Sequence, residues 1–331
     1  MQEPFFTNDA IVFGILMISL GFVFYTEAKT TGFWPKFYKI VPGLFMAYFV
    51  PAIFTTLGII SPEWEVENAV GETVKLQSQL YYVSSRFLLP AALVLMTLSI
   101  DLKAIFNLGS KALIMFFTGT VGIIIGGPIA VLLISIFSPE TVGGADFDAV
   151  WRGLSTLAGS WIGGGANQTA MLEIYKYNPA KYGGMVFVDI VIANIWMAIL
   201  LIGIGKKDRI NKWLKADTSA IETLKDKVAT FAQKVKRNPT LTDFMIILAI
   251  GFGTVGFGHF AASHLSAFFS DFIASIASET TRNIFTFLGS KFFWLISIST
   301  IIAILLSFTK AKNYEGAGAS KIGSLFIYIL V

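Results

Sequence analysis

The sequence contains no cysteine, which excludes disulfides, thiolate metal sites and cysteine nucleophiles and leaves the redox compartment undetermined. Only two histidines occur, His259 and His264, too few for a histidine metal centre or proton relay, and they read as interfacial groups. Charge is scarce as well: 14% of the 331 residues are charged, where a soluble domain carries about a quarter. No HExxH, GxSxG or paired-carboxylate pattern is found, so the chain does not read as an enzyme and no cofactor or metal is expected. The net charge of +4 is small, and the basic residues concentrate in a few loops, as orientation signals do, which argues against a nucleic-acid partner.

Apolar residues are what the chain has in excess. They make up 55% of it, the mean hydropathy is +0.70, and they gather into blocks of the length that crosses a hydrocarbon core. Spanning helices are expected at about 10–25, 40–60, 82–100, 112–137, 183–204, 241–262 and 286–308, with an eighth beginning at Ile322. Residues 1–9 carry Glu3 and Asp9 and no basic residue, unlike the basic start of a signal peptide. The first block therefore reads as a helix with its N-terminus outside.

Loop charge orients the rest by the positive-inside rule. Connector 26–39 has Lys29, Lys36 and Lys39 against Glu27, whereas 61–80 has four glutamates against Lys75. Segment 206–240 has ten Lys or Arg and four acids and reads as cytoplasmic. This last assignment bears on 148–178. A full crossing there would carry the most basic segment outside; a re-entrant hairpin restores the parity and is the preferred reading over a broken crossing. Within 206–240, Ser219 and Glu222 form a capping-box pattern, and Ile221, Leu224, Val228, Phe231 and Val235 form an apolar stripe, together an amphipathic linker helix.

The expected organisation is all-α. A first repeat, 1–205, holds five crossings and the hairpin; a cytoplasmic linker spans 206–240; a partial second repeat spans 241–331. Five crossings is an odd number, so a second copy would be inverted, as in many secondary transporters. By this arithmetic the second repeat is incomplete, and its own hairpin is expected to lie beyond Val331.

The strongest local signal is the run Gly159 to Thr169 (GSWIGGGANQT). Three consecutive glycines hold a helix poorly, and open backbone at membrane depth must be satisfied inside protein or a wet cavity. The first arm is expected to end near Ser160 with free carbonyls suited to a cation. The second is expected to begin near Asn167, an N-cap, with N–H groups suited to an anion. Ser160, Gly163, Gly164, Gly165, Ala166, Asn167, Gln168 and Thr169 are the candidate site; the bland alternative is that the glycines only let helices pack closely. Asp189 and Asn194, within the following helix, join them as candidate ion-binding groups. About six residues from the expected helix start, Asp189 could instead snorkel to the interface, and Asn194 could serve as interhelical glue. Arg86 either snorkels or pairs with an acid, and Gly126-Gly127-Pro128 marks a place for a kink.

The stretches GSWIGGGANQTAM, VDIVIANIWMA and LVLMTLSIDLKAI resemble the membrane family catalogued as domain of unknown function 819, grouped with cation–proton antiporters and anion transporters. Sodium–glutamate and sodium–citrate symporters are its nearest architectural analogues. The resemblance implies two inverted repeats, a scaffold that dimerises, and a moving domain whose glycine-rich hairpin tips bind solute and Na⁺. The bacterial inner membrane is the expected location. The expected function is an ion-coupled elevator-type carrier, with Na⁺ or H⁺ as coupling ion, for a small organic anion or amino acid. A cation–proton antiporter using Asp189 is the alternative, and a non-transporting sensor or scaffold the third reading.

Overall fold

The computed structural model describes residues 3–39, 41, 43–67, 73–98, 100, 110–204, 207–215, 230, 235, 237–278, 281–282 and 285–330. The linker helix expected around 219–235 lies almost entirely outside the described residues.

Helices dominate because a backbone surrounded by hydrocarbon can satisfy its polar groups only within itself. The long ones are α1 (Asp9–Glu27), α4 (Gln79–Leu98), α5 (Ser110–Phe137), α8 (Pro179–Ile204) and α10 (Leu241–Ser275), with the short α2 (Phe33–Tyr38) and α9 (Lys207–Leu214) in the connectors. Each long helix contains a stretch long and apolar enough to cross a membrane. The chain is an α-helical, multi-pass membrane protein. Polar caps set several helix starts. Asn8 accepts from the Ala10 and Ile11 N–H groups ahead of α1. Thr240 and Asp243 form a reciprocal capping box at α10.

Several boundaries differ from expectation. The block 40–60 forms α3 (Gly43–Thr56), 14 residues and so about 21 Å long, short of a core about 30 Å thick. Gly58, at φ +68°, ends that helix by donating to the Thr55 carbonyl. Helix α10 runs past residue 262 because Leu265, Phe268, Phe269, Phe272 and Ile273 continue an apolar stripe at helical spacing. Phe269 stacks on Trp294 at 5.0 Å, and Ser266 donates to the Gly289 carbonyl at 2.6 Å. The block 286–308 is a 3₁₀ turn, Thr286–Gly289, followed by α11 (Lys291–Ser307). A second 3₁₀ helix, Lys310–Ala317, bends away from α11 by 94°. The last helix, α12, starts at Ala319 rather than Ile322 and runs to Leu330. Helix α5 continues without a break through Pro128.

The all-α expectation also misses a two-stranded antiparallel sheet. Strand β1 (Glu63–Glu67) pairs with β2 (Thr73–Gln77), from Glu63 opposite Gln77 to Glu67 opposite Thr73. Trp64 is buried on one face while Glu63 and Glu65 alternate onto the other. The acidic charge of this connector speaks to orientation, while its period-two pattern is what the structure uses.

The main core lies where α4, α10, α11 and α12 meet. Leu89, Ala92, Leu95 and Leu98 of α4 pack with Ile247 and Val255 of α10, Leu295 of α11 and Ala319 and Phe326 of α12. A side chain at Gly323 would approach the Ala92 carbonyl oxygen to 3.1 Å, so glycine lets α12 lie directly on α4. Two shorter helices, α6 (Val150–Gly163) and α7 (Gly165–Ile174), pack on each other and bring Ala170 to the edge of this core. A second cluster, Leu172, Tyr177, Tyr182 and Val186, joins α7 to α8.

Candidate functional site

Helices α6 and α7 leave and re-enter the rest of the protein at one point. The Asn178 N–H donates to the Phe147 carbonyl at 2.9 Å. Asp148 accepts from Asn178 at 2.6 Å and pairs with Lys181 at 2.7 Å. Arg152 donates to the carbonyls of Tyr175 and Ala145. These contacts close the base of the pair. The two donors hold the exposed Asp148 carboxyl below the ordinary carboxylate range, Lys181 contributing most and Asn178 next.

At the far end the chain reverses within a single residue. Gly164 has φ +83° and ψ −176°, a conformation essentially restricted to glycine. Its N–H donates to the Ser160 carbonyl at 2.6 Å and its carbonyl accepts from Gln168 N–H at 3.0 Å. The open loop expected between Ser160 and Asn167 is therefore absent. The first arm continues to Gly163, and the second starts at Gly165 with Gly164 as N-cap. Asn167 is not the cap: it sits inside the first turn of α7, and α7 has no side-chain cap at all. The physical reason is close packing. A side chain on Gly159 would meet the Asn167 carbonyl oxygen at 2.8 Å, and one on Gly163 would overlap the Asn167 amide. Gly159 and Gly163 thus serve the tight approach that glycines allow, while Gly164 serves the reversal.

The reversal leaves two sets of backbone groups without helical partners. They are the last carbonyls of α6 and the first N–H groups of α7, carrying the partial negative and positive poles of the two helices. Gln168 is 3% exposed, and its Nε2 has no hydrogen-bond partner. Thr169, 4% exposed, donates back to the Gly165 carbonyl at 3.1 Å and lies 3.3 Å from the Tyr182 hydroxyl. Gly163, Gly164 and Gly165 are exposed at the tip, and Asn167 is half-buried. The side chains of Ala166 and Asn194 fall outside the described residues.

Asp189 completes the arrangement from α8. Its Oδ2 accepts from Ser160 Oγ at 2.6 Å and its Oδ1 from Trp161 Nε1 at 2.7 Å. Helix α8 begins at Pro179, so Asp189 lies ten residues in, about 15 Å along the helix axis. That is deeper than the expected start at 183 implied, and about half the thickness of a bilayer core. The half-buried carboxylate is directed onto the last turn of α6, and both of these donors are neutral. Trp161 lies within the glycine-rich run but is not one of the site residues expected from the sequence. A large amphipathic side chain beside glycines was the signal available for it.

Sequence reasoning also left out Glu173, the acid that Arg86 pairs with. Its side chain is 8% exposed, and Arg86 Nη1 lies 2.6 Å from Oε2, while Tyr81 donates its hydroxyl to Oε1. His259 Nε2 is 3.0 Å from the Arg86 carbonyl, and the His264 ring packs edge-on to Phe260.

The family described as "Protein of unknown function (DUF819)" matches residues 14–331, nearly the whole chain, and the protein belongs to that family. Comparison with curated proteins and with solved structures returns no match.

Proposed function

We propose that this member of the family is an ion-coupled secondary transporter of a small organic anion or amino acid. The observation that carries the reading is the junction of Asp189 with the tip of the α6–α7 pair. An intramembrane carboxylate meets the last turn of α6, immediately before the chain reverses into α7. In this reading the first N–H groups of α7 and the buried Gln168 amide hold the anionic group of the solute. The last carbonyls of α6, with Asp189, hold the coupling cation, Na⁺ before H⁺. Such a pairing of half-helix ends with opposite charges is the logic of broken helices in transporters.

Several further elements belong to the same proposal. The α6–α7 pair is a re-entrant hairpin, since its ends meet at Phe147 and Asn178 and its arms, at 14 and 10 residues, measure about 21 and 15 Å. The chain forms an inverted repeat, with the N-terminus outside, segment 206–240 in the cytoplasm, and the hairpin moving elevator-fashion in a dimer of the bacterial inner membrane. The direct packing of α12 on α4 supports the repeat, because these two helices occupy equivalent places in its halves.

Reconstitution into proteoliposomes tests the proposal. Uptake of labelled amino acids and carboxylates is measured with and without a Na⁺ gradient. Gradient-driven accumulation of one solute, lost in Gly164→Leu although that variant still inserts, is the expected result. Retained uptake by Gly164→Leu would remove the hairpin from the mechanism.

A second reading rests on the two donors that Asp189 engages. A carboxylate held by neutral donors can exchange a proton for a cation, which makes a cation–proton antiporter the alternative. Proton-coupled cation flux that requires Asp189, with no solute transported, would favour it.

A further inference from the structure

Tyr81 and Arg86 are five residues apart, a spacing that in a regular α-helix separates side chains by about 140°. Both nevertheless reach the same carboxylate, Glu173. The reason is local. Helix α4 passes through a π turn at Ser84–Leu88, which widens the coil and swings Arg86 back toward the face that carries Tyr81. Such turns are rare and concentrate at functional sites.

Arg86 is held by groups that do not belong to α7. A carbonyl oxygen only accepts, so His259 Nε2 must carry the proton it gives to the Arg86 carbonyl, and this pins the π turn from α10. The Phe292 ring of α11 lies under the Arg86 guanidinium, 4.5 Å from its carbon, a favourable seat for a cation. The Arg86 side chain is 27% exposed, so it is not sealed within the core. A preorganised guanidinium beside a phenol is a receptor for a carboxylate. Glu173 reaches it from a different element, the second helix of the α6–α7 pair.

We propose that Arg86 and Tyr81 form a carboxylate-binding site distinct from the Gly164 tip, filled here by the protein's own Glu173 and open to takeover by a free carboxylate. Glu173 then acts as a tethered occupant. A solute carboxylate that displaces it breaks the polar link between α7 and α4, which ties occupancy of the site to release of the helix pair. This role in the cycle rests on the carrier reading above; binding at Arg86 does not.

The test uses the full chain in detergent with Glu173→Ala, and sodium formate as the probe against sodium chloride at equal ionic strength. Formate is expected to raise the unfolding midpoint of Glu173→Ala saturably. In the wild type, where Glu173 fills the site, at least about tenfold more formate is needed for the same shift. The response is expected to vanish in Arg86→Gln/Glu173→Ala. A Glu173→Ala response no larger in formate than in chloride, or one that survives loss of Arg86, would overturn the proposal. If Glu173→Ala does not fold, Glu173→Gln, which keeps the volume, is compared with Arg86→Gln/Glu173→Gln by the same criterion. Formate binding without any solute flux in liposomes would sink the carrier reading and leave the site standing. Flux without formate binding would do the reverse.

Discussion

Ser160 Oγ lies 2.6 Å from Asp189 Oδ2, so the carboxylate of one helix is fixed to the last turn of another immediately before the chain reverses. Asp189 receives a second hydrogen bond from Trp161 Nε1 at 2.7 Å, and the pair of donors orients both of its oxygens. Removing the charge while keeping the shape separates structure from function here. Asp189→Asn is expected to lose coupled transport by at least about tenfold while costing about 1.5–3 kcal/mol of stability, the scale of hydrogen bonds to a charged group. Flux in proteoliposomes and thermal unfolding in detergent check the two parts; unchanged flux would take Asp189 out of the mechanism.

Three adjacent glycines are predicted to respond differently to alanine. At Gly164 there is space for a methyl group but φ is +83°, so strain alone should cost about 1–3 kcal/mol. At Gly163 the methyl would overlap the Asn167 amide, and Asn167→Ala should restore much of what is lost. Gly165 is helical with open space, and alanine there should be neutral or stabilise by about 0.4–1 kcal/mol. Unfolding midpoints of the three variants and of the Gly163→Ala/Asn167→Ala double variant decide this. An equal effect at all three positions would contradict the single-residue turn.

Among the described residues, two ion pairs attach the α6–α7 pair to its surroundings, and their burial differs. Arg86–Glu173 has side chains 27% and 8% exposed, whereas Lys181–Asp148 has 57% and 46%. Double-mutant cycles should give a coupling energy of about 1–3 kcal/mol for the first and a clearly smaller one for the second, whose two charges are both exposed to screening. The inner coupling should also resist salt, since exposed pairs are screened most. The opposite ranking would mean that the base contacts, rather than α4, hold the pair in place.

The clasp at the base is acid-sensitive. Asp148 is held below its ordinary range by hydrogen bonds from Lys181 and then Asn178. A depressed carboxyl contributes stability that is present above its unfolded value of about 4 and disappears as pH falls through its lower folded value. Hydrogen exchange around 147–152 and 176–181 should therefore quicken as pH is lowered below about 4, after correction for the intrinsic rate. Asp148→Asn should show faster exchange already at neutral pH and a flatter acid response. An identical pH profile in the variant would leave the clasp without a role.

The class of the molecule was legible in the residues because hydropathy is a local, additive property. Apolar blocks near 10–25, 82–100, 112–137 and 183–204 became α1, α4, α5 and α8. The break in the glycine-rich run was legible too, since a left-handed residue between two helices calls for glycine. Which of the three glycines makes the turn was not, because that depends on the side chain of Asn167 facing Gly163 across the pair. The β1–β2 sheet was hidden by attention to the net charge of its connector, and the length of α10 by a hydropathy reading that stopped where polar residues resumed. Its continuing stripe is satisfied by docking on Gly289 and Trp294.

By itself the sequence determined that the chain crosses a membrane several times, that its helices are interrupted at Gly163–Gly165, and to which family it belongs. Only the tertiary structure decided that Asp189 meets Ser160, 29 residues earlier, and that Glu173 meets Arg86, 87 residues earlier. Composition and spacing report on neighbours along the chain. A hydrogen bond of 2.6 Å between residues so far apart depends on the helix lengths, a π turn and the glycine contacts acting together, and none of these can be summed from local preference.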